Sequence, residues 1–269
     1  MRLGANELRS IVTGRLRIPA DRAASGRFGI ADDQGRVELV TRALLIDHPE
    51  GRLLVDPGPP EEGEGIDPRR WGTVAAHDLP SILAAVSVEP ASIGHVLLTH
   101  LHPDHAGAAF RARDDRLLPA FPNARIYLPG VNAEAARREG SDGGYRRQET
   151  DALRQVGWIA LEGAGQILPG LEVWVTNGHA TGMQGLTLRG EGEALLVVSD
   201  LLPTIAHLRL PGSAGHDRHP ELVQVERRRL LAQALEERSW IFLYHDPRHV
   251  AVRLGGTVAR PIVREEVVF

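Results

Sequence analysis

The stretch VLLTHLHPDHAG, from Val96 to Gly107, constrains this chain more than any other. A short apolar run is followed by His100, His102, Asp104 and His105 within six residues. Three imidazoles this close repel one another when charged, and the cluster packs badly when neutral. A fold that keeps them directly behind an apolar strand needs something to collect them. His100 and His102 are two apart, so in extended backbone they point the same way. Pro103 turns the chain and lets Asp104 and His105 face a second point nearby. Neutral imidazole and carboxylate are the ligands preferred by borderline divalent cations, zinc first among them. The spacing suits two cations side by side, each completed by ligands from elsewhere in the chain.

The same pattern recurs downstream. GLEVWVTNGH, ALLVVSDLLP and WIFLYHDP read as strands that run out into Asn177-Gly178-His179, Ser199-Asp200 and Tyr244-His245. In layered α/β folds, ligands gather where strand ends open into loops. Four such endings point to one site assembled from distant sequence. Around them, RVELVTRALLID and RLLVDPG read as two strands joined by the turn HPEG, and NARIYLPG as another strand. DLPSILAAV has the Asp and early Pro of a helix start, and NAEAARREG reads as a short Asn-capped helix ending on Gly. HPELVQVERRRLLAQALEERS is the clearest helix. Pro220 suits its first turn, and Leu230/Ala234 and Leu231/Leu235 repeat at i, i+4. The run Arg227 to Arg229 is read as its solvated side. PPEEGEGIDPRR should be an exposed loop, and GGTVARPIVREEVVF a series of short strand-like pieces.

With 269 residues and 42% hydrophobic content, the chain suits a single α/β domain spanning 1–269. The net charge of −4 offers no polycationic field for nucleic acid or anionic lipid. The absence of cysteine excludes disulfides, a thiolate nucleophile and sulfur ligation of a metal. MRLGANELRS lacks the apolar run of a signal peptide, and no apolar stretch approaches membrane-spanning length. The expectation is a cytoplasmic protein acting on a small molecule, with no nucleic-acid or membrane partner.

THLHPDHAG resembles the His-x-His-x-Asp-His signature of the metallo-β-lactamase-fold hydrolases. The order LLVDPG, signature, NGHATGMQG, VVSD and LYHD is similar to that family's order from about Leu39 to Asp246. The resemblance implies an αββα sandwich with a dinuclear metal site at one edge between its two sheets. It implies that His100, His102 and His179 hold a first metal ion. Asp104, His105 and His245 would hold a second, with Asp200 bridging both. Zinc suits this set best, and Mn, Fe, Co or Ni would also be accepted. Asp56 resembles the family's carboxylate that orients a ligand histidine. A water between two such cations ionises near neutral pH and becomes the nucleophile. Asp104 would then pass a proton to the leaving group, which makes Asp104 and Asp200 the catalytic carboxylates.

Several branches are set aside by what the chain contains. The β-lactamases of the fold use a cysteine ligand or lack the bridging aspartate, whereas this chain has Asp200 and no Cys. Diiron flavoproteins place a Glu where His102 stands. HLHPDHAG, AFPNARIYLP and SDLLPTIAHL resemble the branch of the N-acyl homoserine lactonases and methyl parathion hydrolases. That implies hydrolysis of a lactone or related carboxylic ester. The alternatives are an organophosphate triester or phosphodiester hydrolase on the same site, a thioesterase, an iron-dependent sulfur dioxygenase, or a non-catalytic metal-binding module. Several of these lactonases carry a tyrosine three residues after the bridging aspartate. Pro203 stands there in this chain, so either another group, His207 or Tyr145, takes its carbonyl-polarising role or the substrate differs. Asp246 is read as backing His245, and His216 and His219 as members of an exposed loop. Trp71, Phe110 and Phe121 suit a substrate wall or the core equally. A homodimer is an expectation carried by the family alone.

Overall fold

The computed structural model describes residues 1–20, 32–61, 73–113, 116–208 and 217–268. Residues 62–70 of the expected loop, together with Trp71 and His216, lie outside them. The chain divides into two compact units, Met1–Leu16 with Val40–Glu162, and Arg17–Leu39 with Gly163–Phe269.

One sheet is built from β1 (Arg2–Leu3), β2 (Asn6–Pro19), β3 (Arg36–His48), β4 (Gly51–Val55), β5 (Thr73–Ala76), β6 (Ile93–Leu97), β9 (Arg125–Pro129) and β10 (Ile159–Leu161). β7 (Phe110–Arg113) and β8 (Arg116–Pro119) form a separate antiparallel pair. The main order is β1-β2-β3-β4-β6-β9-β10, with β5 on β2. β3 and β4 form the expected hairpin, and β4, β6, β9 and β10 all run parallel. Parallel neighbours need crossovers, supplied here by α1 (Leu79–Ala85) between β4 and β6, and by α3 (Gly130–Glu139) and α4 (Arg147–Leu153) between β9 and β10. One face of this sheet buries Leu45, Leu54, Val96 and Leu128 against Leu83 of α1 and Ala136 of α3. Each such leucine contributes about 1.5–3 kcal/mol on removal from water.

The second unit holds β11 (Gly165–Leu168), β12 (Leu171–Thr176), β13 (Met183–Gly190), β14 (Glu193–Val197), β15 (Trp240–Phe242), β16 (His249–Thr257) and β17 (Arg260–Val268). They lie side by side in chain order. All pairs are antiparallel except β14 with β15, whose crossover carries α5 (Pro220–Glu236). Val223, Leu230, Leu231 and Ala234 of α5 pack with Leu196, Ile241 and Val252 of the sheet and with Val198 just after β14. The α/β class and the two sheets with their helices therefore agree with expectation.

Three local readings need correction. The tail expected as short pieces is one hairpin of two nine-residue strands; Gly255, Gly256 and Pro261 interrupt the β-branched pattern without breaking the pairing. α3 starts at Gly130, so Asn132 is not its cap but a fully buried side chain within it. Arg227 is 0% exposed, unlike its neighbour Arg228, because α5 turns it onto the loop after β14. The fourteen-residue β2 was not anticipated, since Arg and Gly14 interleave with its apolar positions.

Glu149 in α4 is buried in the first unit. Burial pushes its carboxyl up to about 7, against the pull of Arg146, whose Nη1 lies 3.0 Å away. A carboxyl whose folded value is raised favours the protonated native state. Its contribution is fully present below 4.5 and is lost as pH rises toward about 7. Glu149→Gln should therefore flatten the fall in stability across that window, a difference of about 3 kcal/mol. Urea midpoints measured from pH 4.5 to 8 check this, and parallel curves for the two proteins contradict it.

Candidate metal centre

In each loop the first candidate ligand stands at the same distance from its strand. His100 is the third residue after β6, His179 after β12, Asp200 after β14 and His245 after β15. β12, β14 and β15 run in one direction, through two antiparallel steps and one parallel step, so their three loops open at one end of the second sheet. In the first sheet, Val55 of β4 pairs with Leu97 of β6, which brings Asp56 level with the loop of His100.

In the first unit, α2 (Pro103–Ala106) is a single helical turn with Pro103 at its start. His100, His102, Asp104 and His105 are all buried, at 0%, 3%, 2% and 0% exposure. Asp56 organises them. Its Oδ1 accepts the Thr99 backbone N–H at 2.8 Å; its Oδ2 accepts the Thr99 hydroxyl at 2.7 Å and His105 Nδ1 at 2.9 Å. Because the Thr99 hydroxyl donates to Asp56, it accepts from His100 Nδ1, 3.0 Å away. His102 Nε2 donates to the Gly143 carbonyl at 3.1 Å. Each ring thus has one nitrogen committed to an acceptor, and its other nitrogen carries the lone pair. His100 Nε2 and His102 Nδ1, both of that kind, face each other at 3.0 Å. Two lone pairs at that distance repel unless a cation lies on them. His105 Nε2 stands 3.8 Å from Asp104 Oδ2.

Backbone packing fixes the turn. The Gly58 N–H donates to the His105 carbonyl at 3.0 Å, and a Cβ on Gly107 would meet Pro60 N at 2.5 Å. Asp56 itself holds φ at 47°, a conformation a non-glycine residue keeps only where its surroundings impose it. On the other flank, the fully buried Asn132 accepts the Leu101 N–H at 2.9 Å and donates to the Tyr145 hydroxyl at 3.1 Å. The Tyr145 ring lies against His102, with centroids 5.1 Å apart.

The second unit repeats the logic. His179 Nδ1 donates to Asp217 Oδ1 at 2.9 Å, which turns its Nε2 lone pair toward Asp200 Oδ2 at 3.3 Å. Asp200 Oδ1 faces His245 Nε2 at 3.2 Å. Asp200 therefore stands between two imidazoles with one oxygen toward each. All three are buried, and Ser199 before Asp200 is held at φ 47°. The His245 N–H donates to the Pro203 carbonyl at 3.0 Å. Pro203, where the resemblance leads one to look for a phenol, thus supports a candidate ligand through its backbone. Burial lowers the Arg227 guanidinium to about 10, partly offset by the Asp217 charge.

The donor sets fit divalent cations. The first unit offers three imidazoles and one carboxylate, and the second two imidazoles and one carboxylate, all buried and without sulfur. Among the other residues singled out, Asp246 braces backbone: its Oδ1 accepts the Arg248 and His249 N–H groups and its Oδ2 accepts that of Ile205. His207 is buried, with Nδ1 2.9 Å from the Thr204 hydroxyl. Phe110 and Phe121 belong to the first core. Asp217, Asn132 and Gly143 escaped the sequence reading. Asp217 lies in the histidine-rich HDRH, with no periodicity to mark its direction, and Gly143 acts only through its carbonyl.

The family model described as "Metallo-beta-lactamase superfamily" matches residues 36–245. An N-acyl homoserine lactonase of Bacillus thuringiensis is 29% identical over 214 residues, covering 75% of this chain and 79% of that protein. The crystal structure of a probable metal-dependent hydrolase from Staphylococcus aureus superposes over 100% of both chains, with a TM-score of 0.84 at 21% identity. A dizinc quorum-quenching lactonase solved with its product superposes over 99% of this chain and 96% of its own, with a TM-score of 0.80 at 17% identity.

Proposed function

We infer, from the premise that this chain belongs to the metallo-β-lactamase superfamily and is a metal-dependent hydrolase, that its two half-sites together hold a pair of divalent cations. His100, His102 and His179 would hold one, Asp104, His105 and His245 would hold the other, and Asp200 would serve both. The observation that carries this reading is the direction of the imidazoles. Asp56, Thr99, Gly143 and Asp217 occupy the outer nitrogens of His105, His100, His102 and His179, so that lone pairs are presented inward. Zinc is the first choice for such nitrogen-rich sets.

Bound there, the cation pair supplies the acidity that makes a water nucleophilic near neutral pH and the positive charge that a developing oxyanion needs. The chain's own part is positional. Asp56 and Asp217 hold two imidazoles in a single tautomer, and Asp200 keeps its carboxylate between His179 and His245. Asp104, at the start of α2, would carry a proton to the leaving group. The burial of all seven side chains excludes bulk water and strengthens each of these interactions.

The substrate class is a lactone or related carboxylic ester, supported by the lactonase relatives. Stripping the protein with a chelator should abolish hydrolysis, and refilling with zinc should restore it. On the refilled enzyme, an N-acyl homoserine lactone should be opened with a kcat/KM orders of magnitude above those for an aryl phosphotriester, a phosphodiester and a thioester. A phosphotriester turned over faster than every lactone tried contradicts the carbonyl reading and leaves the hydrolase reading intact.

A further inference from the structure

α5 reaches two of the three candidate ligand loops of the second unit, those of His179 and Asp200, through one face. Val223, Glu226 and Arg227 stand at i, i+3 and i+4, which places them together on the helix surface. Val223 fills the space beside Gly178, where a Cβ would meet Val223 N at 2.6 Å. The Glu226 carboxylate accepts the backbone N–H of Asn177 at 2.8 Å, that of Gly178 at 2.9 Å, and the Thr176 hydroxyl. These contacts settle the loop that ends in His179. Arg227 is 0% exposed, and its Nε donates to the Leu201 carbonyl at 2.8 Å. Leu201 directly follows Asp200 in the same 3-10 turn. The Asp217 carboxylate, which holds His179 Nδ1, is close enough to attract the Arg227 charge.

A buried guanidinium is costly unless its donors are used, so a side chain serving only to fill space would be apolar here. We propose that Arg227 is a positioning residue, fixing through the Leu201 carbonyl the turn that carries Asp200 and so setting the 3.3 Å approach of Asp200 Oδ2 to His179 Nε2. The arginine fork places its Nε–H on the Leu201 carbonyl while keeping a fixed, delocalised charge, whereas lysine carries a point charge on a flexible stem and has no donor at that position. The proposal rests on the metal-pair reading above.

The test uses apoprotein reloaded with cobalt(II), read by chelator competition and by visible absorption, for wild type, Arg227→Met, Arg227→Lys and Arg228→Met. Arg228 is exposed on the same helix and serves as the control. Arg227→Met should weaken cobalt binding about tenfold or more and alter the visible bands, since supporting residues of this kind tune affinity on that scale. Arg227→Lys should recover only part, and Arg228→Met should match wild type. Wild-type affinity and bands in a folded Arg227→Met protein overturn the proposal. If that variant does not fold, the lysine variant decides: unchanged affinity and bands overturn the proposal, and a several-fold loss supports it. A wild-type protein that binds no cobalt defeats the metal-pair reading itself, so the two failures remain distinct.

Discussion

Asp200→Asn should lower kcat/KM by roughly three orders of magnitude or more, equivalent to about 4 kcal/mol of barrier, with far-UV circular dichroism unchanged. The two side chains have the same shape, so the 3-10 turn Ser199–Leu201 has no reason to move. The charge is what differs. In the wild type, Oδ2 faces His179 Nε2 at 3.3 Å and Oδ1 faces His245 Nε2 at 3.2 Å. An amide has one oxygen, and its nitrogen presents hydrogens where the other oxygen stood. Two cations would lose their shared anionic ligand, and the field that acidifies water would weaken with it. Wild-type turnover in the asparagine protein, at wild-type metal content, contradicts the assignment of Asp200.

Asp56→Ala should destabilise the fold by about 3–5 kcal/mol. The carboxylate is 1% exposed and accepts three hydrogen bonds, from Thr99 N, Thr99 Oγ1 and His105 Nδ1. Its removal leaves those three donors buried without that acceptor. For a chain of this size such a loss corresponds to a fall in Tm of about 10 °C. The imidazole of His105 also loses the group that fixes its tautomer, so metal affinity should fall by roughly 10- to 100-fold. Differential scanning calorimetry and a metal-competition titration measure the two effects. A variant with unchanged Tm and unchanged affinity contradicts the role given to Asp56.

The loops that carry the candidate ligands were legible because apolar strands have a short period and a clear end. His100, His179, Asp200 and His245 each follow such a strand, and the His-x-His spacing alone says that two rings face one way. Asp56 was also readable, from its place in LVDPG. The residues that orient the rings were harder to find. Asp217 sits in an aperiodic loop, and Gly143 supplies only a carbonyl, which carries no side-chain signature. Asn132 imitates a helix cap in sequence, yet inside α3 it serves Leu101 and Tyr145. Arg227 hides in a run of three arginines, and only the rotation of α5 separates the buried one from its exposed neighbours. The tail hairpin was obscured by Gly255, Gly256 and Pro261, since propensity sees each residue and not the partner strand.

We propose that seven buried side chains, His100, His102, Asp104, His105, His179, Asp200 and His245, hold two cations. Anomalous scattering at the absorption edge of the bound metal, from crystals of the loaded protein, tests it most directly. Two peaks are predicted, one within about 2–2.5 Å of ligand atoms from His100, His102 and His179 and the other of Asp104, His105 and His245, with Asp200 reaching both. A single peak, or peaks away from these residues, contradicts the account.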